Sequence, residues 1–548
     1  MNITLSQINP TVGDISNNLL KIEKAISEAP TSTDLLIFSE LALTGYPPRD
    51  LLKHPSFINS IVTAQKELEK ISTKFPETGI LIGTPTPTLK GNGLYNSARL
   101  FFKGKCIFEQ HKYLIPSYDV FDETRYFNSP DYLHNKPKPL LFKKRCLGIT
   151  ICEDIWCLAP STTKFLYPFD PVESLVSQGA ELIINLSASP FEVNKPTVRY
   201  NLGHEYVKKY NIPFILVNQV GANDDLIFDG NSFAMNARGK FLSKLKNFEV
   251  DSQTFSLEQK SVISLSQNNS MEDLEKALIL GIRDYFEKSK NEKAVLGLSG
   301  GLDSAVAAVL ACKALGSQNV LGITMPSKYS SEGSAKDSYD LAKNLSLECK
   351  TISIENLVDT YSDLFKSSFS TPPAPSVEEN IQARIRGNIL MAFANQPKTL
   401  LITTGNKSEI AMGYCTLYGD MCGALAVISD IFKTTLYDFA KYINQEKDLI
   451  PQNILTKPPS AELKPNQKDE DTLPPYPILD AILTAYLIEK KSHKDIELMG
   501  FDKDLVFWIL QRVDQNEHKR KQMPIGFKVS SCAFGKGRRM PIAMKIER

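Results

Sequence analysis

The sequence predicts an α/β protein built from two dissimilar halves, and three observations carry that prediction. Short β-rich runs alternate with stretches of helical periodicity through the first 250 residues. In the second half a strand, a glycine-rich loop and a small-residue helix follow one another across 294–315. No internal repeat relates the halves, and no apolar run approaches the roughly 18–20 residues that span a membrane.

Taken in order, residues 2–7, 34–38, 79–82, 106–109, 146–151, 181–186 and 213–217 read as strands of a sheet sandwich, with helical spacing at 17–27 and 58–72. Residues 251–270 are polar, rich in Ser and Gln and without strong periodicity, and are expected to be a linker between units at 1–250 and 271–548. Ser270-Met271-Glu272-Asp273 reads as a capping box, and Leu274, Leu278, Ile282 and Phe286 are expected to follow on one helical face. The second unit should then run strand 294–298, loop 299–304, helix 305–315 and strands 320–325 and 400–403, the rhythm of a doubly wound parallel sheet. Two Pro-rich stretches, 367–376 and 457–477, are too polar for core elements and fit long loops beside a substrate.

Composition narrows the function. The 548 residues are 42% hydrophobic and 23% charged, ample for buried cores. Lys+Arg 63 against Asp+Glu 62 leaves +1, so no global field gathers nucleic acid or anionic membrane. Met1 leads straight into Asn-Ile-Thr-Leu-Ser-Gln-Ile, a start from which no secretory signal is expected. Nine scattered cysteines form no Cys-x-x-Cys, which fits free thiols in a cytoplasmic protein. With only six histidines, a nucleophile would have to find its base elsewhere.

The strongest motif is Gly297-Leu298-Ser299-Gly300-Gly301-Leu302-Asp303-Ser304. Consecutive glycines after a buried strand turn the backbone tightly and bring several N–H groups, with a helix N-terminus behind them, onto one anion. Ser299 and Ser304 add hydroxyl donors, and Asp303 offers a carboxylate able to hold Mg²⁺ against phosphate oxygens. No Gly-Lys-Ser/Thr follows, so this is not a Walker A loop. It resembles the pyrophosphate loop of the N-type ATP pyrophosphatases. Further along stand Glu379–Arg386, Thr403-Thr404-Gly405-Asn406-Lys407-Ser408-Glu409, Tyr418-Gly419-Asp420, Lys433, Lys457–Leu463 and the basic 517–522 and 538–541. In that order, over 271–548, they resemble the NAD synthetase family, whose fold is that of the adenine nucleotide alpha hydrolases. The resemblance implies that residues 297–304, Thr404 and Lys433 bind ATP and that Asp303 and Glu409 hold Mg²⁺. It also implies that Asn380, Glu409 and Lys519 contact deamido-NAD. Leu417 stands where the short ammonia-dependent members carry a Lys. The basic residues Lys519, Arg520, Lys521, Arg538 and Arg539 lack interleaved aromatics, so a dinucleotide explains them more economically than a nucleic acid does.

In the first half Cys152, Glu40 and Lys112 each end an expected strand. A carboxylate can take a thiol proton, and a fixed ammonium can stabilise the thiolate and a tetrahedral oxyanion, so these three can do the work of a Cys-His pair. Singly, each has a bland reading as a buried thiol or a solvated charge. Their flanks, Phe38–Tyr46, His111–Pro116, Phe121–Phe127 and Ile151–Asp154, resemble the carbon–nitrogen hydrolase (nitrilase) superfamily. That resemblance implies an α-β-β-α sandwich with Glu40 as base, Lys112 as second triad member and Cys152 as nucleophile. Glu123 would be an additional glutamate, and Tyr118, Ser189 and Lys195 would hold glutamine.

Together the two resemblances imply adenylylation of deamido-NAD by ATP and its amidation with ammonia released from glutamine, with a shielded passage for the ammonia. Small-molecule substrates, no nucleic acid, no membrane and a homo-oligomer are the expected partners. Two rivals stay open: another adenylate-forming amidotransferase, such as a GMP or asparagine synthetase, and a nucleotide-sensing scaffold. The first is opposed by the segments after 379, the second by the presence of Glu40, Lys112, Cys152 and Asp303 together.

Overall fold

The computed structural model describes residues 1–88, 93–158, 167–263, 269–369 and 374–546. Its chain divides into two units, Met1–Asp273 and Leu274–Arg548.

The first unit contains β1 (Asn2–Gln7), β2 (Leu35–Ile37), β3 (Gly79–Pro87), β4 (Leu94–Phe102), β5 (Lys105–His111), β6 (Leu140–Phe142), β7 (Arg145–Ile151), β8 (Leu182–Ser187), β9 (Phe214–Asn218), β10 (Val220–Asn223), β11 (Leu226–Asp229), β12 (Phe233–Met235), β13 (Phe241–Lys244) and β14 (Asp251–Ser256). Two six-stranded sheets form, in the orders β14-β1-β2-β3-β4-β5 and β13-β12-β9-β8-β7-β6. Because successive side chains in a strand face opposite ways, Leu35 and Ile37 join the core between the sheets, whereas Leu36 packs with helices α1 (Ile15–Glu28) and α2 (Pro55–Lys74). On the far side α3 (Pro171–Ser177) and α4 (Lys195–Tyr210) cover the second sheet through Leu175, Tyr206, Phe214 and Phe233. This is the α-β-β-α sandwich.

The expected linker is corrected by β14, which pairs antiparallel with β1 from Asn2↔Ser256 to Gln7↔Asp251. An edge strand needs only its ladder bonds and one apolar anchor, Phe255, so its polar sequence concealed it. Part of that stretch, 264–268, lies outside the described residues.

The second unit begins along α5 (Ser270–Lys288) and continues through β15 (Lys293–Gly297), α6 (Leu302–Leu315), β16 (Val320–Thr324), α7 (Glu332–Leu345), β17 (Glu348–Thr351), α8 (Glu355–Ser368), α9 (Pro375–Ala394), β18 (Thr399–Thr403), α10 (Lys407–Met412), β19 (Leu425–Ala426), α11 (Lys433–Ile443) and β20 (Ile525–Gly526). All six strands are parallel, in the order β17-β16-β15-β18-β19-β20. From β15 the chain moves outward to β16 and β17, then returns to place β18 on β15's other side. The crevice at the carboxyl ends of β15 and β18 is therefore a topological switch point, where open α/β sheets bind ligands. The expected loop at 367–376 is bounded by α8 and α9, and its residues 370–373 lie outside the described ones.

Among the described residues no helix is long and apolar enough to cross a membrane. All nine cysteines are free.

Candidate active sites

In the first unit, β7 ends at Ile151 and Cys152 opens a short 3-10 turn with φ 41°. A non-glycine residue in this left-handed region stores roughly 1–3 kcal/mol of strain. Asp154 holds it there: its carboxylate accepts from Ile151 N at 2.9 Å and from Tyr113 N and Leu114 N at 3.0 and 2.9 Å. One side chain thus ties the end of β7 to the chain leaving Lys112.

Glu40, Lys112 and Glu123 meet in a buried cluster. Lys112 Nζ donates to Glu40 Oε1 at 2.8 Å and to both oxygens of Glu123 at 2.8 and 2.9 Å. Asn96 Nδ2 donates to Glu40 Oε1 at 2.7 Å, Tyr46 OH to Glu123 at 2.8 Å, and Ala188 N to Glu40 Oε2 at 2.9 Å. Burial opposes the charge on Lys112, yet Glu123, Glu40 and Cys152 hold its pKa well above the ordinary lysine value. Burial also drives the Cys152 thiol well above its usual range; Glu40, Glu153 and Glu123 push the same way and Lys112 pulls against them. Burial and these three carboxylates outweigh the Lys112 ammonium and favour the protonated thiol at rest. The hydrogen bonds of Lys112 go to the carboxylates, so it acts on the thiol through space.

Of the other expected residues, Tyr118 OH donates to Glu153 at 3.0 and 3.1 Å, beside Cys152. Ser189 N donates to Asn218 Oδ1 at 2.8 Å. Lys195 opens α4, near Glu192 at 3.4 Å and over the Trp156 ring at 5.0 Å. Sequence reasoning missed Asn96, Tyr46, Asp154 and the Ala188 N–H. Asn96 lies mid-strand and Ala188 acts through its backbone, so neither leaves a signal in residue type.

In the second unit a cavity of about 320 Å³ opens at the switch point. Gly297, Leu298, Ser299 and Gly301–Ser304 line one side, Thr404, Gly405 and Glu409 another, and Lys457–Leu463 a third. Gly300 has φ +71°, and a Cβ there would lie 2.3 Å from Ser334 O, so the loop needs glycine on both counts. Gly301 caps α6; its N–H donates to Ser299 Oγ at 3.2 Å, and Ser304 Oγ donates back to Gly301 O at 3.0 Å.

Asp303 and Glu409 face one cation, Lys433, which bonds Asp303 and lies 3.5 Å from Glu409. Asn406 Nδ2 donates to Asp303 at 2.7 Å, while its own carbonyl caps Glu409 N at 3.0 Å. Burial and the Asp303 charge push Glu409 up to about 8, against Lys433. Two carboxylates this close call for positive charge, which fits a hard divalent ion that completes its shell with phosphate oxygens. Among the described residues no group of three His, Cys, Asp or Glu makes a protein-only metal site.

Asn380 and Lys519 are not among the residues lining that cavity. Asn380 Oδ1 accepts from Thr416 at 2.8 Å, and Lys519 Nζ donates to the carbonyls of Gly413 and Cys415 at 2.7 and 2.8 Å. Both brace the turn after α10. Arg520 reaches the carbonyls of Ile410 and Ala411 at 3.2 and 2.9 Å, and Glu517 pairs with Arg520 at 3.0 Å and Arg538 at 2.5 Å. Arg520 therefore caps α10, and Arg538 is tied to the same place through Glu517.

The loop 457–463 is stitched down. Glu462 accepts from Ser331 Oγ at 2.9 Å and Ser334 Oγ at 2.7 Å, and Lys457 donates to Ser334 Oγ at 3.1 Å and Asp337 at 3.0 Å. Ser334, whose carbonyl abuts Gly300, thereby links this loop to the glycine-rich loop at 297–304.

Residues 2–265 match the carbon-nitrogen hydrolase family and residues 274–523 the NAD synthase family. The chain is 45% identical to a glutamine-dependent NAD(+) synthetase of Synechocystis sp., over 99% of this chain and 98% of that protein. To the protein of that name from Thermotoga maritima it is 38% identical, over 100% and 99%. A solved glutamine-dependent NAD+ synthetase of Acinetobacter baumannii, in complex with adenosine diphosphate, superposes with TM-score 0.77 at 34% identity, over 99% and 98% of the two chains. A hydrolase-type thiol centre and a switch-point cavity in one chain, with relatives matched end to end, place this protein in the glutamine-dependent NAD(+) synthetase family.

Proposed function

We propose that this chain makes NAD from deamido-NAD, ATP and glutamine, releasing AMP, pyrophosphate and glutamate. In the first unit Glu40 takes the Cys152 proton as sulfur attacks the side-chain amide carbon of glutamine. The same proton then leaves with ammonia as the tetrahedral adduct collapses to a glutamyl thioester. Water, activated by Glu40, releases glutamate and restores the thiol. Lys112 holds Glu40 in place and, with Glu123, sets the local charge. Tyr118, Ser189 and Lys195 hold the amino-acid end of glutamine.

In the second unit residues 297–304, Thr404 and Lys433 hold ATP. Asp303 and Glu409 would hold Mg²⁺, which screens the phosphates as charge builds on the departing pyrophosphate. The nicotinate carboxylate of deamido-NAD attacks the α-phosphorus and expels pyrophosphate, and ammonia then displaces AMP from the acyl-adenylate. Asn380, Glu409 and Lys519 attend the dinucleotide; for Lys519 this means releasing the carbonyls of Gly413 and Cys415.

The observation that best supports this reading is the pairing of the buried Glu40–Lys112–Cys152 centre with the Asp303–Glu409 cavity in one chain. A product assay with ATP, deamido-NAD and either glutamine or ammonia tests it: NAD should form with both nitrogen donors. Absence of NAD with ammonia would refute the synthetase reading, and absence with glutamine alone the hydrolase reading.

A further inference from the structure

Arg199 and Asp229 form an ion pair with no exposed surface on either side chain. Burying two charges is expensive unless their hydrogen bonds are well placed, and the extra partners here converge on one residue. Asp229 accepts from Asn231 Nδ2 at 2.7 Å and from Asn218 Nδ2 at 3.5 Å. Asn218 takes the Ser189 N–H at 2.8 Å and gives its amide hydrogen to Ser189 O at 3.3 Å. Arg199 Nη1 then points at Ser189 Oγ from 3.4 Å. Ser189 is therefore held at its N–H, its carbonyl and its hydroxyl oxygen by one buried network.

The chemistry of that last contact is directional. A guanidinium only donates, so Ser189 Oγ is the acceptor and its own hydrogen is free for another partner. The hydroxyl becomes a donor backed by a buried positive charge, the arrangement that suits an anion. Lys195, one turn earlier on α4 at i and i+4 with Arg199, places a second cation on the same helix face. The adjacent Ala188 N–H is bonded to Glu40, so the short loop that carries Ser189 also touches the proposed base.

We infer that Arg199 is a positioning residue that fixes Ser189 as a hydrogen-bond donor to the α-carboxylate of glutamine, and so makes the hydrolase centre select an amino-acid amide over a simple amide. This rests on the hydrolase reading above, and the test separates the two. Ammonia release from glutamine is compared with release from 4-aminobutanamide, which is glutamine without its α-carboxylate, using the full-length protein. In Arg199→Met the ratio of kcat/KM for glutamine to that for 4-aminobutanamide should fall about tenfold, through glutamine KM, while turnover of 4-aminobutanamide holds. Arg199→Lys keeps the buried charge beside Asp229 but cannot also reach Ser189; it should show the same fall, and it serves if the Met variant does not fold. In a Ser189→Ala background neither change should lower the ratio further. An unchanged ratio in Arg199→Lys, an equal loss on both amides, or a wild-type protein that does not prefer glutamine would overturn the inference. Hydrolysis of neither amide by the wild type would instead overturn the hydrolase reading itself.

Discussion

At Cys152 burial and three carboxylates act together to keep the sulfur protonated, and only Lys112 opposes them. The thiolate is the charged form, so each of those influences raises the pH at which it appears. Iodoacetamide should therefore modify Cys152 more slowly at pH 8 than it modifies a free thiol, with a rate still climbing above pH 9; a plateau near neutrality would mean that a thiolate is present at rest. Asp303 illustrates the opposite electrostatic demand. Its carboxylate is matched by Lys433 and Asn406, and its proposed task is to hold a cation against phosphate. Asp303→Asn should lower NAD formation by about two orders of magnitude or more with glutamine and with ammonia alike, because a lost contact to a developing charge is worth roughly 3 kcal/mol or more. Residual synthesis near the wild-type rate with either donor would remove Asp303 from the ATP site.

Among the elements, the loop between β15 and α6 depends on one glycine. Gly300→Ala meets both a positive φ and a Cβ 2.3 Å from the Ser334 carbonyl, so the loop or α7 must move. ATP-driven synthesis should fall at least tenfold in this variant while glutamine hydrolysis continues, which separate assays of AMP and glutamate would record. Helix α10 is governed from outside by the C-terminal chain. Lys519, Asn516 and Arg520 bond the carbonyls of its last turn and the residues after it, where cations suit the helix dipole. If Lys519 also reaches deamido-NAD, Lys519→Ala should weaken deamido-NAD about tenfold and ATP little, measured with saturating ammonia. An equal fall for both substrates would confine Lys519 to capping α10.

For the whole molecule, two units with separate cores carry two chemistries. Cys152→Ala should abolish glutamine-driven NAD formation and leave ammonia-driven synthesis close to wild type. Equal loss with both donors would mean that the units do not divide the work as proposed.

The sequence by itself determined the α/β class, the strands that lead to Glu40, Lys112 and Cys152, and the glycine turn at 297–304. These are local signals: short β-rich runs, consecutive glycines ahead of a small-residue helix, and charged or nucleophilic residues just past strand ends. It did not disclose β14, because an edge strand can be polar and still complete its ladder with β1. Tertiary structure alone decided that Lys112 bonds Glu40 and Glu123 together, that Arg520 and Arg538 are spent on Glu517, and that Asn380 and Lys519 brace the turn after α10. Each of those outcomes joins residues distant in the chain, and a side chain's charge does not reveal its partner until packing brings the two within about 3 Å.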